Sequence, residues 1–272
     1  QNRKYNEYLE EPSEYKKGKL WEQYNQIKQY TVSLCTYLNT GIASDILGAK
    51  GTLNSNSFLS IFFDPFVDEL LNDYVDILFS QGYSQVALQN YLINSSINVE
   101  EECKEAYNKD GYILSQQEFV RMRIGLSNMK DSGCGVISIY NAMLALDMHT
   151  ELIDIISFMD ADRNRVIAGA LLGVAPWAIM DYFLSKNILP IASMSEDQII
   201  SNSKFADANI ILYLRDPITK GAHYVMYDSY NMNTEEYKFY EDDPYEDNDL
   251  RTLQEFLQTP HIAVFGISLY KP

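Results

Sequence analysis

The sequence contains few of the residues on which catalytic and metal chemistry most often depends, since only three of its 272 residues are cysteine and three are histidine. Three cysteines cannot all be paired, so at least one thiol stays reduced, and no two have the spacing of zinc ligands. We therefore predict neither a disulfide framework nor a metal centre, and no cofactor. The thiols are Cys35, Cys103 and Cys134, and the imidazoles are His149, His223 and His261.

Basic residues are also scarce, with 21 Lys and Arg against 38 Asp and Glu and a formal net charge of −17. The longest basic run is Lys16-Lys17-Gly18-Lys19. Because binding to a phosphate backbone requires a clustered basic surface, we predict that nucleic acid is not a partner. The acidic balance instead favours basic partners through long-range attraction.

No apolar run is long enough to cross a membrane. The longest, over residues 166–180, is interrupted by Pro176, and a spanning helix needs about 20 apolar residues. The first residues, Gln1-Asn2-Arg3-Lys4, include neither an initiator Met nor an apolar signal stretch. We therefore expect a soluble protein without a membrane span, whose chain is a fragment, a processed form or a trimmed piece of a longer polypeptide.

The hydrophobic pattern predicts helices first and strands afterwards. Apolar residues recur at helical spacing over 19–39 and 64–82, and Ser115-Gln116-Gln117-Glu118 matches a capping box that would open a short helix. A segment over 134–147 is apolar on almost every side, which is typical of a central buried helix. Further helices are predicted over 151–160 and 177–186, and another capping box begins at Ser195.

Strand patterns follow over residues 209–214, 222–230, 235–241 and 262–270, rich in Tyr, Val, Ile and Phe. The second and third are separated by Asn231-Met232-Asn233, which predicts a hairpin. Helices followed by an antiparallel sheet indicate an α+β fold.

Cys134 is the strongest candidate for a nucleophile. It lies between Gly133 and Gly135 at the start of the central helix, so its sulfur is accessible and close to the positive end of the helix dipole. That end favours thiolate over thiol and so lowers the pKa of a cysteine. Such a nucleophile also needs a base, and the base needs a group that orients it.

His223 is the best candidate for that base, because it lies near the start of a strand on which Val225 and Tyr227 share its face. In a hairpin turned near residues 231–233, Asp243 returns towards His223 and can accept its ring N–H. Asp242 is the alternative, because a shift of one residue in register would exchange the two.

These residues resemble a known family. The order Asn128, Asp131-Ser132-Gly133-Cys134-Gly135, His223-Tyr224-Val225 and Phe239-Tyr240-Glu241-Asp242-Asp243-Pro244 is similar to that of papain-like cysteine peptidases. It is closest to bacterial double-glycine leader peptidases and to papain-fold domains of polymorphic toxins. The resemblance covers residues 120–272 and implies a papain-like domain, with a central helix packed on an antiparallel sheet. Residues 1–119 match no family and form a predicted helical N-terminal region.

The resemblance implies acyl transfer by a Cys134–His223–Asp243 triad. The family usually has a glutamine six residues before the cysteine, whose amide donates to the oxyanion, and here Asn128 holds that position. The implied function is a cysteine-dependent hydrolase that cleaves a peptide or amide bond in a peptide or protein substrate. The resemblance to toxin domains also suggests a bacterial effector that is secreted or delivered. An immunity or inhibitor protein is then a further candidate partner.

Two alternatives stay open. A deamidase or acyl transferase could use the same triad, since an acyl-enzyme accepts water or an amine. A catalytically inactive papain-like binding module is the other, because Asn128 departs from the family pattern. Cys35, Cys103, His149 and His261 are interpreted as structural.

Overall fold

The computed structural model describes residues 83–167, 170, 173–215, 222–240, 249–258 and 261–271. All of them belong to one compact unit that comprises residues 65–272. The predicted helices over 19–39 and 64–82, and Cys35, lie outside the described residues. The predicted boundary between residues 119 and 120 stays a prediction.

Eight α-helices are present in the described ranges, and none of them is both long and apolar enough to cross a bilayer. They are α1 (Tyr83–Ser95), α2 (Val99–Glu102), α3 (Met129–Ser132), α4 (Cys134–Ala145), α5 (Leu152–Asp160), α6 (Pro176–Ser185), α7 (Glu196–Ser203) and α8 (Leu253–Leu257). The central helix predicted from Cys134 is thus present, and eight of its twelve residues are buried.

The strands of the described residues form two antiparallel sheets. β1 (Arg123–Ile124) and β2 (Ser127–Asn128) make a small hairpin. The main sheet contains β3 (Pro190–Ser193), β4 (Ala208–Arg215), β5 (Ala222–Asn231), β6 (Glu236–Tyr240), β7 (Asp249–Thr252) and β8 (His261–Leu269). Its order is β3-β8-β4-β5-β6-β7, and every neighbouring pair is antiparallel. Together with the helices, this confirms the predicted α+β fold class.

The main sheet has a helical layer on each face. On one face, Ile211, Val225 and Phe239 join side chains of α7 and α8 in a hydrophobic cluster. On the other face, α4 packs against β5, where Gly135 meets the ring of Tyr224. Because successive residues of a strand point to opposite faces, neighbours along β5 belong to different layers.

The predicted hairpin is confirmed, since β5 pairs with β6 across the turn that follows Asn231. The N-cap at Ser195 is confirmed as well, with its side chain accepting from the backbone N–H of Gln198.

The prediction that a capping box at Ser115-Gln116-Gln117-Glu118 opens a short helix is wrong. A single turn occupies these residues, in which the Phe119 N–H donates to the Gln116 carbonyl. Tertiary contacts outweigh the local capping signal here. The Gln116 amide donates to the Lys130 carbonyl at 2.7 Å, and Phe119 is completely buried.

Helix α1 is attached to the later residues through two buried asparagines. Asn90 donates both to the Gly125 carbonyl and to the buried Asp160 carboxylate, each at 2.8 Å. Asn94 accepts from the Arg123 N–H and donates to the Arg123 carbonyl, also at 2.8 Å. α1 therefore completes the hydrogen bonding of the segment that leads to α3.

Asp228 on β5 is a buried carboxylate held by hydroxyl groups. Tyr112 and Tyr240, whose rings stack at 4.1 Å, donate to it at 3.3 and 3.2 Å, and Ser229 donates at 2.6 Å. Burial raises the pKa of Asp228 above its ordinary value, although these hydrogen bonds act in the opposite direction.

We expect Asp228→Asn to change how stability depends on pH. A folded-state pKa above the ordinary value of 3.8 means that the folded protein binds this proton more tightly than the unfolded chain. The wild type should therefore lose free energy of unfolding, relative to Asp228→Asn, as the pH rises from about 3.8 through the folded pKa. Urea unfolding of both proteins between pH 3.5 and 7 measures the difference. The free energy of unfolding of the wild type minus that of Asp228→Asn should fall as the pH rises. A value that stays constant or increases with pH would contradict the expectation.

Candidate functional site

The start of α4 is fixed by Gly133. The Gly133 N–H donates to the Met129 carbonyl, and the Gly133 carbonyl accepts from the Ile137 N–H, both at 2.9 Å, so α3 leads directly into α4. A Cβ at position 133 would overlap the Met129 carbonyl oxygen. Only glycine fits this backbone, which places Cys134 at the first position of the helix, half-buried.

Gly135 allows α4 to lie close to the sheet. A Cβ at this position would overlap a methyl group of Val174 and come within 3.2 Å of the Tyr224 ring. The Tyr224 hydroxyl donates to the Val174 carbonyl at 3.1 Å. Helix, strand and the backbone before α6 therefore meet at one point, beside Cys134.

Tyr224 is an electrostatic neighbour of Cys134. Burial raises the pKa of Tyr224 well above its ordinary value, and charge on the Cys134 sulfur raises that pKa further. Tyr224 was not among the predicted site residues. Tyr224 lies between His223 and Val225, and the alternation of strand residues assigned those two to the face that was expected to carry the chemistry. The sequence pattern therefore gave Tyr224 no role. Gly135 was the one sequence signal that another part of the chain approaches the helix closely beside Cys134. A glycine alone does not identify the approaching residue.

His223 is the second residue of β5 and is 9% exposed. It pairs with Tyr213 on β4, and the two rings are perpendicular with centroids 5.8 Å apart. Alternation assigns His223, Val225 and Tyr227 to one face, as predicted, and Val225 and Tyr227 lie in the cluster formed with α7 and α8. The structure thus places Tyr224 on the α4 face of β5 and assigns His223 to the opposite face.

Asn128 caps helix α3. Its side-chain carbonyl accepts from the Asp131 N–H at 2.9 Å, and its amide donates to the Asp131 carboxylate at 2.8 Å. This gives Asn128 a local structural role, six residues before Cys134. Its predicted donation to an oxyanion stays a prediction.

Asp243 and the alternative Asp242 lie outside the described residues. The last described pair of the β5–β6 ladder is Met226 with Tyr240. Asp243 is the third residue after Tyr240, and His223 is the third before Met226.

Cys103 and His149 lie in surroundings that differ from those of Cys134 and His223. Cys103 is buried, and its Sγ lies 3.6 Å from the Glu118 carbonyl oxygen. Burial, followed by the charges of Glu102 and Glu118, raises the pKa of Cys103 to about 11. His149 is exposed, with its Nε2 2.9 Å from a carboxylate oxygen of Glu151.

In the part of the chain that the structure describes, no group of three or more His, Cys, Asp or Glu side chains could hold a metal ion. Comparison of the sequence with protein-family models gives no match, and no curated protein matches it.

We expect Gly135→Ala to destabilise the protein by about 1–3 kcal/mol, because the added methyl group overlaps Val174 in a packed contact. Helix propensity alone predicts the opposite sign, since alanine is more favourable than glycine inside a helix by about 1 kcal/mol. The free energy of unfolding in urea therefore separates the two effects. A more stable Gly135→Ala variant would show that the helix does not approach β5 this closely.

Proposed function

We propose that the chain is a papain-like cysteine-dependent hydrolase that cleaves a peptide or amide bond, with Cys134 as nucleophile and His223 as base. One observation carries the proposal. Gly135 and Tyr224, which directly follow Cys134 and His223 in the sequence, pack against each other. The start of the helix and the start of the strand therefore lie side by side.

The reaction would begin with attack of the Cys134 thiolate on the substrate carbonyl carbon, favoured by the positive end of the α4 dipole. The backbone N–H of Cys134 and the amide of Asn128 would stabilise the oxyanion. The C–N bond then breaks, and protonated His223 gives its proton to the leaving amine. Water, deprotonated by His223, attacks the thioester and releases the acid and the thiolate.

Asp243 is proposed as the residue that orients His223. Both Asp243 and Asp242 lie outside the described residues, and the last described pair of the β5–β6 ladder is Met226 with Tyr240. Asp242 therefore stays the alternative to Asp243.

A catalytically inactive binding module of the same fold is the second candidate. Two observations favour it: the Asn128 amide is engaged with Asp131, and strand alternation assigns His223 and Tyr224 to opposite faces of β5. In a hydrolase, the His223 imidazole would have to reach around the start of β5 to contact the Cys134 sulfur. The two candidates therefore differ in the reactivity of Cys134.

We expect iodoacetamide to label Cys134 near pH 6, where Cys103 does not react. A thiolate stabilised at a helix start is present at this pH, whereas a buried thiol with a pKa of about 11 stays protonated. Mass spectrometry of peptides from the labelled native protein reads each thiol separately.

His223→Ala should move the pH midpoint of Cys134 labelling upward, because the imidazolium that stabilises the thiolate is removed. His149→Ala is the matched control and should leave the midpoint unchanged, since His149 interacts with Glu151 at the surface. If Cys134 reacts no faster than Cys103 at pH 6, the binding module is the better account.

We expect digestion of a peptide library to be abolished by Cys134→Ala and reduced about 100- to 10,000-fold by His223→Ala.

Asn128→Ser separates the two roles of Asn128, because serine keeps an N-cap acceptor but has no amide donor. The Asn128→Ser variant should fold with nearly wild-type stability and cleave peptides about 100- to 1000-fold more slowly than the wild type. If Asn128→Ser cleaves peptides at the wild-type rate, Asn128 has no part in the mechanism. Products that are deamidated or amine-linked instead of cleaved would identify a deamidase or transferase.

A further inference from the structure

A pocket of about 660 Å³ opens between α1, α2, α4 and α5, away from the proposed catalytic residues. Its lining includes Tyr140 but not Cys134. The two residues are six positions apart on α4, which corresponds to about 9 Å along the helix axis. The pocket is therefore a separate concave surface, within the volume range typical of sites for small molecules or side chains.

Two tyrosines form the aromatic part of this pocket. Tyr107 and Tyr140 are both half-buried, and their rings meet edge to face with centroids 6.2 Å apart. Phe119 supports Tyr107 from behind in a second edge-to-face contact, also at 6.2 Å. The apolar side chains of Ile97, Met122 and Leu152 complete this wall and are themselves buried.

Two carboxylates lie near the rings, and one of them, that of Glu151, also contacts the ring of His149, which lines the pocket too. Glu100 and Glu151 both line the pocket, and both raise the pKa of each tyrosine, after burial as the main cause. Lys104 also lines it, but its ammonium is largely exposed and lies 3.8 Å from Glu105, which does not line the pocket. The N-terminus of α5 would favour an anion, but the residue at its N-cap is the acidic Glu151, which makes no side-chain capping hydrogen bond.

We infer that this pocket binds an organic cation with an apolar stem, such as the guanidinium or ammonium group of an arginine or lysine side chain or of a free alkyl amine. Aromatic faces attract a cation through the ring quadrupole, and the carboxylates of Glu100 and Glu151 add direct attraction. The apolar wall accommodates the methylene stem that such cations carry. The net charge of −17 draws a cation towards the surface from a distance.

The test is calorimetric titration of the full chain with two probes, agmatine and the acetylated, amidated peptide Ala-Ala-Arg-Ala-Ala. A peptide with citrulline in place of arginine has nearly the same shape without the charge. We expect the arginine peptide or agmatine to bind, and the citrulline peptide to bind at least tenfold more weakly. Tighter binding of the arginine peptide would identify a basic side chain as the ligand. Equal or tighter binding of agmatine would identify a free alkyl amine as the ligand.

Glu100→Gln combined with Glu151→Gln should weaken binding about tenfold, since the ion pairs of the ligand with two exposed carboxylates are lost. Asp110→Asn combined with Asp154→Asn is the matched control, because it removes the same charge from exposed residues outside the pocket and should change affinity less than twofold. Thermal unfolding verifies that both double variants fold.

Equal binding of the citrulline peptide, no binding of either cation, or equal weakening by the two double variants would overturn the inference. Labelling of Cys134 is measured on the same variants and should not change. Failure of the pocket experiment is therefore distinguishable from failure of the proposed hydrolase.

Discussion

The close approach of α4 to β5 is the contact on which the arrangement of this protein depends. Two positions without a Cβ make it possible: Gly133 lets the chain turn from α3 into α4, and Gly135 lets the helix touch the Tyr224 ring. The Tyr224 hydroxyl then ties β5 to the backbone at Val174. The glycines around Cys134 therefore have a packing function that is independent of any chemistry at the sulfur.

The main sheet separates the molecule into two environments. The α7–α8 layer is aromatic, and there Phe239 stacks on both Tyr227 and Phe256 at about 5 Å. The α4 layer contains the half-buried thiol and the Asp228 carboxylate. His223 is at the start of the strand between these layers, with Tyr213 beside it.

Local signals in the sequence predicted the elements that local interactions determine. The start of α4 at Cys134, the Ser195 N-cap and the turn after Asn231 are of this kind. The predicted helix at Ser115 failed because Gln116 bonds to a distant carbonyl, and β7 was missed because Asp249-Leu250-Arg251-Thr252 has no strand pattern and pairs only with β6. Tyr224 and the pocket between Tyr107 and Tyr140 could not be predicted, since each requires residues far apart in the sequence to meet.

The asparagines of α1 have a consequence for any shortened version of this chain. A fragment cut at residue 120, where the family resemblance starts, would leave the Asp160 carboxylate without the amide of Asn90 and the Arg123 backbone without Asn94. Asp160 would keep its hydrogen bond from the Gly125 N–H. Each lost hydrogen bond costs about 1 kcal/mol, which is a sizeable share of the stability of an ordinary domain. An expressed fragment should therefore keep Asn90 and Asn94, and with them helix α1.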